Sequence, residues 1–551
     1  MSARRPSLDE RRRVRAVFTG AVMAQLLQDW VAAQAHTRPE ATAIVCGDAK
    51  LSYGELDARS NQLARVLREA GCRQGEPIAL LMPKSLMAIV GLLGIHKADG
   101  VYVPLDPLSP SARLRKMITT CGITRVLAGG SVEPVLNELQ HDLSVGWLEP
   151  DAPSSLTTEF GLADLSVYGP DAIQPRNRSF HPAHVLFTSA ATGVPKGVVL
   201  THANVIHCVE WAARYFGLTV DDRLSCHAPL HIDMSLLDIF AAAAVGAELH
   251  LVPPIVSGLP RTIAEFIRTS AITHWSSIPS VLSYLAQFDL VKSGSLPALK
   301  RVQWSGDVLP NSTLMHWMKR LPHVRFTSLY GTTETTFISS VYTVPDCPTD
   351  ATERLPIGTP CTGKEFLILS PSSLEQVAPG EIGDLYIGGA GVSRGYWGDV
   401  AQTNAAFVRH PQRLHERLYR TGDLARVDAR GLIHLEGRRD QQIKTRGYRV
   451  EIGEIESALS TIGSLKHSAI VALDRGGFDG AQICCAYVPT DGCTPVMLRH
   501  ELSRLVPSYM LPVHWMASEA LPINGSGKVD RSRLKGLFEE RLSTLERRPV
   551  A

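Results

Sequence analysis

Between residue 42 and about residue 320 the chain alternates short β-branched runs with longer stretches of helical character. This rhythm constrains the fold more than any other feature. Parallel strands need crossover connections, and the crossovers lay helices on the sheet faces. AIVCGDAKLSY (43–53) reads as two strands around a Gly47–Asp48 turn. Ser52 precedes Glu55 by three residues, a capping-box spacing that starts a helix running to about Ala70. PIALLMP (77–83) reads as a buried strand, Ser85 to His96 as the helix after it, and VYVPLDP (101–107) as a strand broken by prolines. The longest apolar run, Leu86 to Ile95, is too short for a bilayer, which needs ~20 residues.

From 355 to 437 the character changes. Glycine-rich short strands such as GDLYIGGAG and GLIHLEG point to an antiparallel or barrel-like subdomain. The charged stretch RRDQQIKTRGYR (438–449) follows as a candidate linker. Beyond it lies a compact α+β unit, predicted as helix 452–461, strands 468–474 and 481–489, helix 495–505 and a strand near 514–517. The predicted organisation is an Arg-rich tail at 1–20, a large α/β core at 21–437, a hinge at 438–441 and a small mobile α+β domain at 442–551.

Fifty-six Lys and Arg against 54 Asp and Glu leave a net charge of +2, which excludes a nucleic-acid coat or a polybasic membrane anchor. The six arginines crowded into the first fifteen residues read as a solvated tail. Ten scattered cysteines without a Cys-x-x-Cys pair suit buried reduced thiols in a cytoplasmic protein.

The segment Phe187-Thr188-Ser189-Ala190-Ala191-Thr192-Gly193-Val194-Pro195-Lys196-Gly197 follows an apolar strand, His184 to Phe187. Hydroxyls and backbone N–H groups there donate to phosphate oxygens while Lys196 offsets their charge. The Walker spacing is absent. On its own such a loop is an ordinary turn; its companions decide the matter.

Ordered motifs run from LSYGEL (51–56) to GSGKVDR (525–531). Between them stand HKADGVYVPLDP (96–107), the phosphate loop, HIDMSLLDIF (231–240) and LYGTTE (329–334). GDLYIGGAGVSRGY (383–396), YRTGDL (419–424), GRRDQQIKTRGYRVEIGEIE (437–456) and VPSYMLP (506–512) complete the set. The chain resembles the amino-acid adenylation domains of nonribosomal peptide synthesis, within the adenylate-forming superfamily. The family's loop has Gly where Ala190 stands and Ser or Thr where Ala191 stands. Alanine resists φ > 0, so a stiffer turn and weaker ATP binding are expected.

The resemblance implies roles residue by residue. Thr188, Ser189, Thr192, Gly193 and Lys196 would hold the phosphates of ATP, and Glu334 the Mg²⁺ ion. Tyr330 would stack on adenine beside Gly306 and Thr333. Asp423 would accept the ribose hydroxyls with Arg438 as its partner. Lys528 would reach the carboxylate and phosphate during adenylation, making it and Glu334 the catalytic pair. Asp440 matches the hinge, and Gly447 the glycine beside the pantetheine tunnel. Asp233 matches the carboxylate that pairs with a substrate α-amino group. Met234, Leu237, Ser276, Gln303, Ser305, Leu329, Phe337 and Ile338 complete the predicted side-chain pocket.

Bulky apolar groups dominate that pocket and no second charge answers a charged side chain. A small neutral amino acid is therefore expected: glycine, alanine or serine, with a β-amino acid or a small branched one left open. After Lys528 only 23 residues remain, too few for a carrier domain of ~80 residues. A free-standing enzyme is expected, passing its aminoacyl group to the phosphopantetheine thiol of a separate carrier protein and holding no covalent cofactor itself. Two other readings stay open: an acyl- or aryl-CoA ligase of the same superfamily, and a non-catalytic nucleotide-binding protein.

Overall fold

The computed structural model describes residues 24–139, 143–257, 259–351, 353–440, 442–473, 480–490, 493–524 and 529–546. The Arg-rich tail and Lys528 lie outside the described residues.

Local signals act where the sequence placed them. Thr42–Cys46 and Ala49–Ser52 pair antiparallel across the Gly47–Asp48 turn, with Gly47 at positive φ. Ser52 caps the helix Tyr53–Glu69 in a reciprocal capping box. Ser85 caps Leu86–Lys97, whose residues from Ala88 onward are all buried. The long apolar run is thus a core helix, hydrophobic all round because it has neighbours all round.

Two sheets sandwich these helices. One has nine strands, in spatial order Thr359–Pro360, Ser340–Thr343, Arg325–Tyr330, Arg301–Trp304, His274–Ser277, Arg223–Cys226, Glu248–Leu251, Thr42–Cys46 and Ala49–Ser52. Its centre is parallel and its edges antiparallel. The other has seven strands and is parallel except at Pro182–Thr188 and Lys196–Thr201, which form a hairpin. One buried cluster joins both sheets through the helices between them; Ile44, Leu80, Val90, Val205 and Leu236 all belong to it.

The glycine-rich region forms a five-stranded antiparallel sheet, from Lys364–Leu369 to Ile433–Arg438. After it come the hairpin Gln442–Thr445 and Tyr448–Glu451, then the helix Ile452–Leu459. A three-stranded sheet follows, of Leu465–Leu473, Gln482–Pro489 and His514–Ala517. The helices Ile452–Leu459 and Pro495–Ser503 end two residues before their predicted termini, at fraying last turns. This sheet has a core on each face, and the adjacent cysteines show why both are apolar: Cys485 points into one core and Cys484 into the other. None of the ten cysteines forms a disulfide among the described residues. No helix among the described residues is long and apolar enough to cross a membrane.

Candidate active site

A cavity opens where the parallel strands of the nine-stranded sheet end. Arg223–Cys226 runs into His227–Asp233, His274–Ser277 into Ile278, Arg301–Trp304 into Ser305 and Gly306, and Arg325–Tyr330 into Gly331–Thr333. The carboxyl ends of parallel strands are where open α/β sheets bind ligands. Thr188 and Ser189 close one side, Asp423 and Arg438 another, and residues 444 and 446–449 reach in from the C-terminal hairpin.

The phosphate loop is the turn of an antiparallel hairpin, closed by the Thr188–Lys196 pair. No helix follows it directly, so an anion there would meet only backbone N–H groups, hydroxyls and Lys196. Neither Ala190 nor Ala191 sits at positive φ; the left-handed position falls on Gly193 (φ 75). The alanines therefore strain nothing, which corrects the expected cost in turn geometry. Ala190 is wholly buried. Lys116 Nζ donates to the Gly193 carbonyl at 2.9 Å. Lys196 Nζ lies 5.3 Å from the centre of the Tyr396 ring.

The loop also grips the C-terminal hairpin. Ser189 Oγ donates to the Arg449 carbonyl (2.8 Å) and accepts from the Glu451 N–H (3.1 Å). Arg113 and Glu454 form a buried ion pair across the same junction, and Tyr448 stacks on Tyr509 at 3.8 Å. Gly447 (φ 79) passes so close to Ile278 that a Cβ would lie 2.7 Å from its methyl group, so only glycine fits there.

Glu334 sits on the short turn Thr333–Thr335 and is 1% exposed. It accepts from Arg449 Nη1 at 2.8 Å and from the Tyr396 hydroxyl at 3.1 Å. Burial alone would push its carboxyl up; the Arg449 guanidinium instead holds it below the usual carboxylate range. Arg449 also donates to Gln442 and to the Tyr419 hydroxyl.

Asp423, 3% exposed, accepts from the Tyr330 hydroxyl at 2.6 Å and from Arg438, which is held in turn by both oxygens of Asp440 at 2.7 Å. Lys444 Nζ lies 5.9 Å from the centre of the Tyr330 ring. Asp233, half-buried at the cavity wall, accepts from Thr333 Oγ1 at 2.7 Å. Burial raises its carboxyl, and the Thr333 hydroxyl only partly offsets that.

Thirteen of the predicted site residues line this cavity: Thr188, Ser189, Asp233, Met234, Ser276, Ser305, Gly306, Tyr330, Thr333, Phe337, Asp423, Arg438 and Gly447. Leu237 and Gln303 line a smaller void behind Ser276 instead. Leu329 and Ile338 are buried in the main core. Thr192 and Lys196 lie on the far limb of the phosphate loop, and Gly193 faces a small pocket with Arg113, Lys116 and Glu454.

Reading the sequence missed several participants. Arg449, Lys444, Tyr396 and Tyr419 all fall inside the recognised motifs, yet only spatial contact reveals them as partners of Glu334 and Tyr330. Asp238 corrects the expectation of no second charge near the pocket. It is 2% exposed and accepts from Ser276, and burial pushes its carboxyl up to about 7. Its signal was its place one residue after Leu237 in HIDMSLLDIF.

A cavity at parallel strand ends, a hairpin loop of hydroxyls and a lysine, a half-buried acid on the cavity wall and a second body inserted into the mouth suit an α/β enzyme that activates its substrate with a nucleotide. Residues 31–397 match the AMP-binding enzyme family, so the chain belongs to it, as an adenylation domain of the nonribosomal peptide synthetase type. Zwittermicin A synthase ZmaJ of Bacillus cereus is 30% identical over 95% of this chain and 97% of its own length. Gramicidin S synthase 2 of Brevibacillus brevis is 32% identical over 93% of this chain, which spans only 11% of that protein. Among solved structures, the Vibrio cholerae adenylation domain AlmE, in complex with glycyl-adenosine-5'-phosphate, shares the fold with a TM-score of 0.79 at 21% identity, covering 98% of this chain and 99% of that one.

Proposed function

We propose that this chain joins ATP to a small neutral amino acid, releasing pyrophosphate and forming aminoacyl-AMP, and then passes the aminoacyl group to the phosphopantetheine thiol of a separate carrier protein. The observation that carries the amino-acid reading is Asp233. It is a desolvated carboxylate on the cavity wall that forms no ion pair among the described residues and accepts only from Thr333 and the backbone. A substrate ammonium ion supplies the missing charge.

The remaining roles follow from what each group is free to do. Tyr330, Gly306, Asp423 and Arg438 hold the adenosine. Thr188, Ser189, Thr192, Gly193 and Lys196 hold the phosphates. Glu334 already draws a guanidinium, so its surroundings suit positive charge, and with phosphate oxygens it fits a hard cation. Mg²⁺ held by Glu334 would offset phosphate charge. No group of three or more His, Cys, Asp or Glu suited to a metal exists among the described residues. Lys528 offsets charge at the transition state. Residues 438–441 act as the hinge of the C-terminal body, with Asp440 anchored on Arg438.

The test is ATP–pyrophosphate exchange with a panel of amino acids and plain carboxylic acids, followed by loading of an added carrier protein. Exchange with glycine, alanine or serine is expected. Exchange with plain carboxylic acids alone would overturn the reading.

A further inference from the structure

The second void behind Ser276 carries a message about the substrate's side chain. Of the predicted pocket residues, only Ser276 lines both it and the main cavity. Ser276 Oγ donates its one proton to Asp238 Oδ1 at 2.7 Å and accepts from Gln303 Nε2 at 2.7 Å. Asp238 Oδ2 and Gln303 Oε1 are buried and have no hydrogen-bond partner among the described residues. Buried acceptors without donors are costly, and each calls for an explanation.

The chain of bonds fixes the sense of every member. A serine hydroxyl has one proton and two lone pairs. Asp238 takes the proton on Oδ1 when its carboxyl is charged, and also when it is neutral with its own proton on Oδ2. Gln303 must then present its NH₂, which uses one lone pair of Ser276. What Ser276 has left is a lone pair, an acceptor.

We propose that Asp238 and Gln303 lock Ser276 as an acceptor at the end of the side-chain pocket, which thereby selects a small amino acid whose side chain ends in a hydrogen-bond donor, a hydroxyl or a primary amine. This rests on the amino-acid-activating reading above and changes its side-chain criterion from neutral to donor-bearing. Asp238 is a positioning residue, acting through Ser276. An apolar group of the same size would leave that Ser276 lone pair unanswered, and sites built to bond a substrate OH or NH reject analogues that lack it.

The experiment compares kcat/KM in ATP–pyrophosphate exchange for serine, 2,3-diaminopropionate, 2-aminobutyrate and alanine. Serine and 2-aminobutyrate differ by a hydroxyl against a methyl, so their ratio reads the donor alone. A ratio of at least ~30 in favour of serine, or of 2,3-diaminopropionate if the donor is an amine, is expected. Asp238→Asn lets an amide donate to Ser276 and frees the serine proton to point into the pocket. The ratio should then collapse to within about 3-fold. Gln303→Met leaves the proton on Asp238 and should retain the preference, whereas a merely structural defect would lower all four substrates together in both variants. Equal or better use of 2-aminobutyrate by the parent chain overturns the proposal without needing any variant to fold. An unchanged ratio in a folded Asp238→Asn variant also overturns it. Exchange with none of the amino acids sinks the amino-acid reading itself, a separate and recognisable failure.

Discussion

The two halves of the cavity are satisfied in opposite ways. On the proposed nucleotide side nearly every polar group is answered by the protein: Glu334 by Arg449 and Tyr396, Asp423 by Tyr330 and Arg438, Ser189 by the backbone of the C-terminal hairpin. On the proposed amino-acid side Asp233 forms no ion pair among the described residues, and Asp238 and Gln303 keep open acceptors. The nucleotide half must therefore exchange partners before it takes a ligand, whereas the other half waits for one. Arg449 and a metal ion would compete for the same carboxylate, so the docked hairpin and a fully charged nucleotide site exclude each other.

The largest effect that tests this contrast is on Asp233. Asp233→Ala removes the carboxylate proposed to meet an incoming ammonium. Losing half of a desolvated ion pair costs several kcal/mol, so kcat/KM for amino-acid-dependent exchange should fall by about 10² to 10³. A fall below 3-fold would show that the amino group is held elsewhere.

Next comes the pH dependence of Asp238, the open acid of the amino-acid half. Its folded value, about 7, lies above the unfolded value of 3.8. The unfolded chain therefore releases this proton first as pH rises. The contribution to stability is full below the unfolded value and is lost as pH climbs toward 7, on the order of a few kcal/mol. Lys84 faces the same carboxyl and lessens the loss. Thermal midpoints at pH 5 and pH 8 should differ less in Asp238→Asn than in the parent; an identical difference would refute the assignment.

On the nucleotide side the sign reverses. Glu334 is held low by Arg449, so its contribution is present above the ordinary glutamate range and is lost as pH falls through the lowered value. Arg449→Met removes the partner at neutral pH. The buried carboxylate then regains water only by undocking the hairpin, and roughly 2 kcal/mol, or ~30-fold in the docked fraction, should be lost. Faster proteolysis within 438–451 and a larger radius of gyration would report it. Unchanged values for both would show that other contacts, such as Arg113–Glu454, hold the bodies together.

This contrast also explains what could be read from the sequence. Capping at Ser52, the Gly47–Asp48 turn and the strand–helix rhythm are local, and each was legible. Thr188, Asp233, Tyr330 and Asp423 were legible because they sit inside recognisable motifs. Arg449 on Glu334 was not, since 115 residues separate them and the pairing depends on how the hairpin docks. Asp238 on Ser276 was hidden for the same reason, 38 residues apart across a helix and a strand. Leu329 and Ile338 show the converse: motif position placed them in the pocket, yet their side chains face the core.

The smallest effect concerns the loop that joins the halves. If the alanines of the phosphate loop were a defect, Ala190→Gly would repair it by restoring the family's residue. The backbone argues otherwise, because Gly193 already carries the left-handed turn and Ala190 is buried at ordinary φ. Glycine there adds freedom to the unfolded chain without relieving strain, a loss of about 0.4–1 kcal/mol in stability. The KM for ATP should shift by less than about 3-fold, since no phosphate ligand changes. Ala191 differs in kind: its backbone and Cβ would lie 2.8 to 3.1 Å from a Cβ at Gly453, so it meets the docked C-terminal body. Ala191→Thr restores a hydroxyl but crowds that contact. It should favour the undocked arrangement slightly while Ala190→Gly leaves docking alone. Two adjacent alanines that respond to different partners would place the boundary between the two halves inside a single turn.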